Sequence, residues 1–207
     1  SNRSRKIKSD FLIVTQNGNE LILNSKRGLR QGISRYISSI NGVSQEGLLY
    51  GHKSFNKPTT RKERKRLISM LSIAKSYGLK VLIIDYCVSP SYVDNSYQLN
   101  EKMGFISYAA PRIALDTISS YPPYPYNMNL EDVTKISEAK NFLCILNPAP
   151  FGAPEKFLMA LKETDYDMII MDAFYSKNRP FTREEISSLR FKKHGGKRLI
   201  LSYMSVG

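Results

Sequence analysis

Two stretches, KVLIIDYC (80–87) and YDMIIMDAF (166–174), decide the fold. Each is apolar at successive positions instead of alternate ones, rich in β-branched residues, too short for a buried helix and closed by an aspartate. That pattern belongs to a parallel strand covered on both faces. Five further runs read as strands: FLIVTQNG (11–18), NGVSQEGLLYG (41–51), GFISYAA (104–110), NFLCILNP (141–148) and KRLILSYMSVG (197–207). Strands alternating with helical patterns are the signature of βα units, so the fold class is α/β with a parallel sheet.

The helix signals are local. Thr59 or Thr60 can cap a basic amphipathic helix running to Tyr77 and Gly78, and Pro154-Glu155 opens a helix ending near Thr164. Thr182 and Glu185 have capping-box spacing, with Gly195-Gly196 expected to stop that helix before the last strand. Weaker helices are expected between Ser25 and Ser39 and between Ser91 and Met103. The three prolines of TISSYPPYPYNMN forbid a regular helix, so 117–129 reads as a connector between two βα halves of one domain spanning 1–207. Seven βα-type strands look like a (β/α)8 barrel of TIM type lacking one strand. Either the seventh strand is the edge of an open sheet, or an eighth unit lies downstream in a longer chain.

Composition excludes several classes. With 42% apolar and 24% charged residues among 207, the chain is neither low-complexity nor disordered, and no run reaches the roughly 18 apolar residues of a membrane helix. Cys87 and Cys144 lack C-x-x-C spacing and read as small buried hydrophobes; His52 and His194 have no partner at metal spacing. No cofactor or metal is therefore expected. The net charge of +13 favours polyanions in principle. Its basic runs, SRKIK, RKERKR (61–66) and the group Lys192, Lys193, Lys197 and Arg198, read as solvated helix faces and ends. No nucleic-acid motif accompanies them, so a nucleic-acid partner is the least favoured reading.

In parallel α/β folds chemistry gathers at the C-terminal ends of the strands. The polar residues there are Gln16 and Asn17, Gln45 and Glu46, Asp85, Tyr108, Asn147, Asp172 and Tyr203. Three carboxylates, Glu46, Asp85 and Asp172, would share one axial pocket in a closed barrel, with amides and tyrosines orienting sugar hydroxyls. Asp85 and Asp172 also suit turn caps, Glu46 a structural ion pair, and Gln16-Asn17-Gly18 an ordinary turn. Carboxylates without a nucleophile or metal constellation suggest acid/base chemistry on a glycosidic bond.

The segments DFLIVTQNG, GVSQEGLLYG, LIIDYC, GFISYAA, NFLCILNP, MIIMDAF and GGKRLILSYMSVG resemble glycoside hydrolases related to family 114, which includes endo-α-1,4-polygalactosaminidases. The resemblance runs through nearly the whole chain in a circularly permuted order. It implies a (β/α)8 barrel, a polysaccharide substrate and a secreted or cell-surface location. It also implies an eighth strand, bearing an aspartate taken to be catalytic, beyond the S-Y-M-S-V-G segment; that strand or another chain would cover the open sheet edges. Glu46 matches the family's second acidic position, while Asn17, Asp85, Asp172 and Tyr203 match positions that line the substrate pocket; Gln16 and Tyr108, from the strand ends, complete the candidate substrate-binding set.

Overall fold

The computed structural model describes residues 11–23 and 35–205. In chain order these form β1 (Val14–Gln16), α1 (Glu20–Leu23), β2 (Gly42–Glu46), α2 (Arg61–Ser76), β3 (Lys80–Tyr86), α3 (Pro90–Lys102) and β4 (Ile106–Ala110). After a long irregular passage come β5 (Leu143–Ile145), α4 (Pro154–Lys162), β6 (Met168–Asp172), β7 (Phe174–Ser176), β8 (Arg179–Pro180), α5 (Arg183–Ser188) and β9 (Leu199–Tyr203).

The protein is mixed α/β. A four-stranded parallel sheet has the order β1-β2-β3-β4, a three-stranded parallel sheet the order β5-β6-β9, and β7 and β8 form a small antiparallel hairpin. All seven expected strands are present. The connector 117–129 carries no helix or strand, and a 3-10 turn, Ile136–Glu138, follows it before β5. The hairpin was not expected, because its strands are too short to show a period. Most of the expected helix at Ser25 to Ser39 lies outside the described residues; 35–37 are helical.

Pleating sorts the side chains. Val43, Val81, Ile83 and Ala109 pack on Leu67, Met70, Leu71 and Ala74 of α2 and on Val93 and Tyr97 of α3. The alternate residues Leu82, Ile84, Tyr86, Ile106, Tyr108 and Ala110 belong to a different core, shared with β5, β6 and α4. A fully buried aliphatic or aromatic side chain contributes about 1.5–3 kcal/mol relative to exposure, so these two clusters carry most of the fold's stabilisation. The two sheets meet across the second cluster: the Tyr108 ring lies 6.2 Å from Phe142 and 6.1 Å from Tyr166, and Leu146 N donates to Leu115 O at 2.8 Å.

The caps follow their residue types. Thr60 accepts from Glu63 N at 3.4 Å at the start of α2. Thr182 and Glu185 bond reciprocally, at 3.2 and 2.8 Å, at the start of α5. That helix ends at Ser188, well before Gly195 and Gly196. The basic group before β9 also departs from expectation. Lys192 and Arg198 are buried: Lys192 Nζ sits 2.9 Å from Asp167 Oδ1, and the Arg198 guanidinium donates to Phe191 O and Thr164 O. These two cations are internal struts, and Lys193 and Lys197 pair with Glu163 and Asp132. Cys87 and Cys144 are free and buried. No helix among the described residues is long and apolar enough to cross a membrane.

Candidate functional site

Glu46 ends β2 in register with Ile84 of β3. It therefore shares a pleat side with Ile84 and Tyr86, away from α2 and α3. Both of its carboxylate oxygens are engaged: Asn17 Nδ2 donates to Oε2 at 3.0 Å and the Tyr86 hydroxyl donates to Oε1. Burial, and secondarily the adjacent Glu46 carboxylate, push the Tyr86 phenol far above its ordinary range, so it stays a donor.

Asn17 is itself oriented by a chain of amides. Asn19 Nδ2 donates to Gln45 Oε1 at 3.1 Å, Gln45 Nε2 donates to Asn17 Oδ1 at 3.1 Å, and Asn17 Nδ2 then faces Glu46. Each amide's direction is fixed by the one before it, so the relay ends with a donor on the carboxylate. Asn17 sits at φ 56°, in the left-handed region that asparagine tolerates, which turns β1's end toward β2. Close backbone approach sets the other wall. Gly51, at φ 91°, lies against Tyr86, and an added Cβ would come within 2.5 Å of the Tyr86 Cβ.

The second sheet presents its residues to the same side. Cys144 of β5 is buried in the same core as Ile84 and Tyr86, and that burial, with the Glu46 charge adding, raises its thiol to about 12. Cys144 is registered on Ile170 and Ile170 on Leu201; two residues further along, Asp172 is registered on Tyr203. The period of two therefore puts Asp172 and Tyr203 on the pleat side of Cys144. Tyr203 is 38% exposed at the end of β9. Asp172 Oδ1 caps the turn into β7 by accepting from Phe174 N at 2.9 Å. Gln16 is exposed at the end of β1, in register with Ser44.

Asp85 does not join them, which corrects the expectation of three carboxylates in one cleft. It is fully buried and off-parity with Glu46, facing α3. Its Oδ1 accepts from Leu49 N and Tyr50 N at 2.8 and 3.1 Å, and its Oδ2 from Ser96 Oγ and Asn100 Nδ2 at 2.7 and 3.2 Å. Asp85 thus holds the chain after β2 against α3. Tyr108 is corrected too: fully buried, with its hydroxyl donating to Thr117 O, it packs the core. Of the site residues, sequence reading passed over Asn19 and gave Gln45 and Tyr86 no role beyond standing at strand ends. Their only signal is strand parity, which needs the register.

Burial pushes the Asp85 carboxyl up, against the opposing pull of its four donors. The folded group then holds its proton more tightly than in the unfolded chain. Its contribution favours the fold at acidic pH and fades as pH rises through the raised folded value. Asp85→Asn should remove that dependence, because Asn100 Oδ1, buried without a partner, can turn to accept from the new amide. Urea midpoints at about pH 4.5 and 7.5 should differ less in the variant than in the wild type; an unchanged difference would contradict this assignment.

A cleft of about 560 Å³ lies elsewhere, at the N-terminal ends of β3 and β4, lined by Lys80, Ile106, Tyr126 and Lys140 among others. It is at the opposite end of the strands from Glu46, so it is not part of this site. Among the described residues no group of three or more His, Cys, Asp or Glu is arranged to hold a metal ion. No protein-family model matches the chain, and no curated protein matches it.

Proposed function

We propose that the protein is a glycoside hydrolase acting on an α-linked, amino-sugar-containing polysaccharide, with Glu46 as acid/base. The observation that carries the reading is the Glu46 carboxylate at a strand's C-terminal end, held by Asn17 and Tyr86 on the side that also bears Asp172 and Tyr203. We also propose that the two parallel sheets are successive arcs of a (β/α)8-type barrel. The core between them is what supports that finer architecture, together with the family resemblance.

Hydrolysis needs one group that passes a proton to or from the glycosidic oxygen or water, and a second carboxylate on the other face of the sugar. A carboxylate has about four lone-pair sites. Two of Glu46's are taken by Asn17 and Tyr86, which leaves others for water or a sugar hydroxyl. The two donors hold the carboxylate plane, and a proton-transfer partner must be held in reach of its target. The second carboxylate is proposed on an eighth strand, as the resemblance implies. Tyr203, half exposed, offers an aromatic face to a sugar ring.

Incubating the full-length gene product with α-1,4-linked galactosamine and N-acetylgalactosamine oligomers, and following new reducing ends, tests the reading. Shortened oligomers are expected; intact ones across the panel would overturn it. The relay makes a narrower prediction. Asn17→Gly keeps the left-handed backbone and removes the amide that faces Glu46, so kcat should fall about tenfold, the worth of one charge-assisted hydrogen bond, with thermal stability little changed. An unaltered kcat would show that Asn17 does not position Glu46.

A further inference from the structure

We infer that the connection from β2 into α2 is a docking rim for an acidic polysaccharide, one whose amino sugars are N-acetylated and so uncharged and whose other sugars carry carboxylate or phosphate groups. The segment 51–66 holds seven Lys and Arg against the single acid Glu63. Glu63 is committed to Arg66, whose Nε, at 3.1 Å, and Nη2 both donate to it; Arg66 also pairs with Glu20 at 3.0 Å. That leaves Lys53, Lys57, Arg61, Lys62, Arg64 and Lys65 without an ion pair among the described residues. All but the half-buried Arg64 are exposed.

Their placement runs against local electrostatics. Four of them occupy the first five residues of α2, where the helix dipole is already positive and cations are unfavourable. A sequence that breaks a local rule without an internal compensation points to an external one. Here that is an anion.

The rim is preorganised and adjoins Glu46. Gly51 N donates to Lys57 O at 2.9 Å, closing the loop, and Asn56 N donates to Tyr86 O at 3.0 Å. Asn56 Oδ1 accepts from Val88 N and Ser89 N at 3.0 and 3.2 Å. An added Cβ at Gly47 would come within 2.6 Å of the His52 Cα, so the residue after Glu46 lies directly against the residue before Lys53. Tyr86 both donates to Glu46 and packs beneath Gly51. The cations thus stand beside the strand end that carries Glu46, where an extended polymer bound there would pass. Phe55, the only Phe, Tyr or Trp in 51–66, is half-buried against the core, which leaves the imidazole of His52 as the one ring of the segment open to nucleic-acid bases. The polymer's being a glycan rests on the proposed hydrolase; its being acidic rests on the charge.

The test uses the full-length gene product with three probes: polygalacturonate, the neutral α-glucan pullulan, and duplex DNA. Polygalacturonate should bind at about 50 mM salt, weaken by roughly tenfold or more at about 300 mM, and outbind both other probes. The variant K53S/R61S/K62S/K65S should lose about tenfold or more, while K102S/K162S/R190S, three exposed cations elsewhere, should stay within about twofold. Lys53 lies before α2 and Arg61 and Lys62 in its first turn, where losing a cation does not weaken the helix, and a circular dichroism spectrum matching the wild type's shows that lost binding is not lost folding. Absent polygalacturonate binding, equal losses in both variants, or tighter binding of DNA would each overturn the proposal. The outcomes separate from those of the hydrolase reading: polyanion binding without cleavage of any oligomer leaves the rim standing, and cleavage without polyanion binding removes it.

Discussion

Glu46→Gln in the full-length gene product should lower kcat by on the order of 10²–10⁴-fold while leaving oligomer binding nearly unchanged. Glutamine is close to isosteric, and its carbonyl can still accept from Asn17 Nδ2, which donates to Glu46 at 3.0 Å. The Tyr86 hydroxyl, now a donor to Glu46, can turn to accept from the new amide. The site should therefore keep its shape. What is lost is a group that exchanges a proton at neutral pH, and that loss falls on the transition state alone, so it appears in kcat and kcat/KM and not in affinity. A parallel rise in KM with kcat intact would make Glu46 a binding residue.

Lys192→Met should destabilise the fold by about 3–5 kcal/mol, the usual cost of leaving one partner of a buried pair alone. Lys192 and Asp167 are both fully buried at the side chain and 2.9 Å apart. Lys192 Nζ also donates to Asn129 O and Glu131 O, while Asp167 Oδ2 accepts from Lys140 N at 2.8 Å. The pair thus anchors the end of the Tyr/Pro-rich connector to the start of β6. Methionine fills similar volume but leaves the aspartate uncompensated. Adding Asp167→Asn to Lys192→Met should recover much of the loss, because the amide carries no charge to bury. Urea denaturation of the wild type, the single variant and the double variant measures both terms. A single variant within about 1 kcal/mol of the wild type would show that the pair contributes little.

The strands were legible because a strand covered on both faces is apolar at every position, as VLII in β3 and MII in β6 are. The helix starts were legible because Thr60 and Thr182 act through their own local bonds. What was not legible depends on neighbours distant in sequence. Glu46 and Asp85 look alike as polar residues at strand ends, yet the register of β2 on β3 sets Glu46 beside Tyr86 and turns Asp85 toward α3. A one-residue change in register would exchange those roles, and no local pattern encodes it. The same holds for Lys192 and Arg198, which read as solvated because lysine and arginine usually are, and which are buried because Asp167 and the carbonyls of Phe191 and Thr164 meet them. Tyr86 closed a strand in plain view, but nothing before the fold marked it as the partner of a glutamate forty residues earlier.

The most direct test of the central claim follows single turnovers of α-1,4-linked amino-sugar oligomers by the full-length gene product and its Glu46→Gln variant, with products resolved by chain length. The wild type should yield shorter chains, and the variant should bind oligomer and leave it whole. Equal product release by both proteins, or oligomer bound and uncut by both, would contradict it; the second result would make the protein a carbohydrate-binding module.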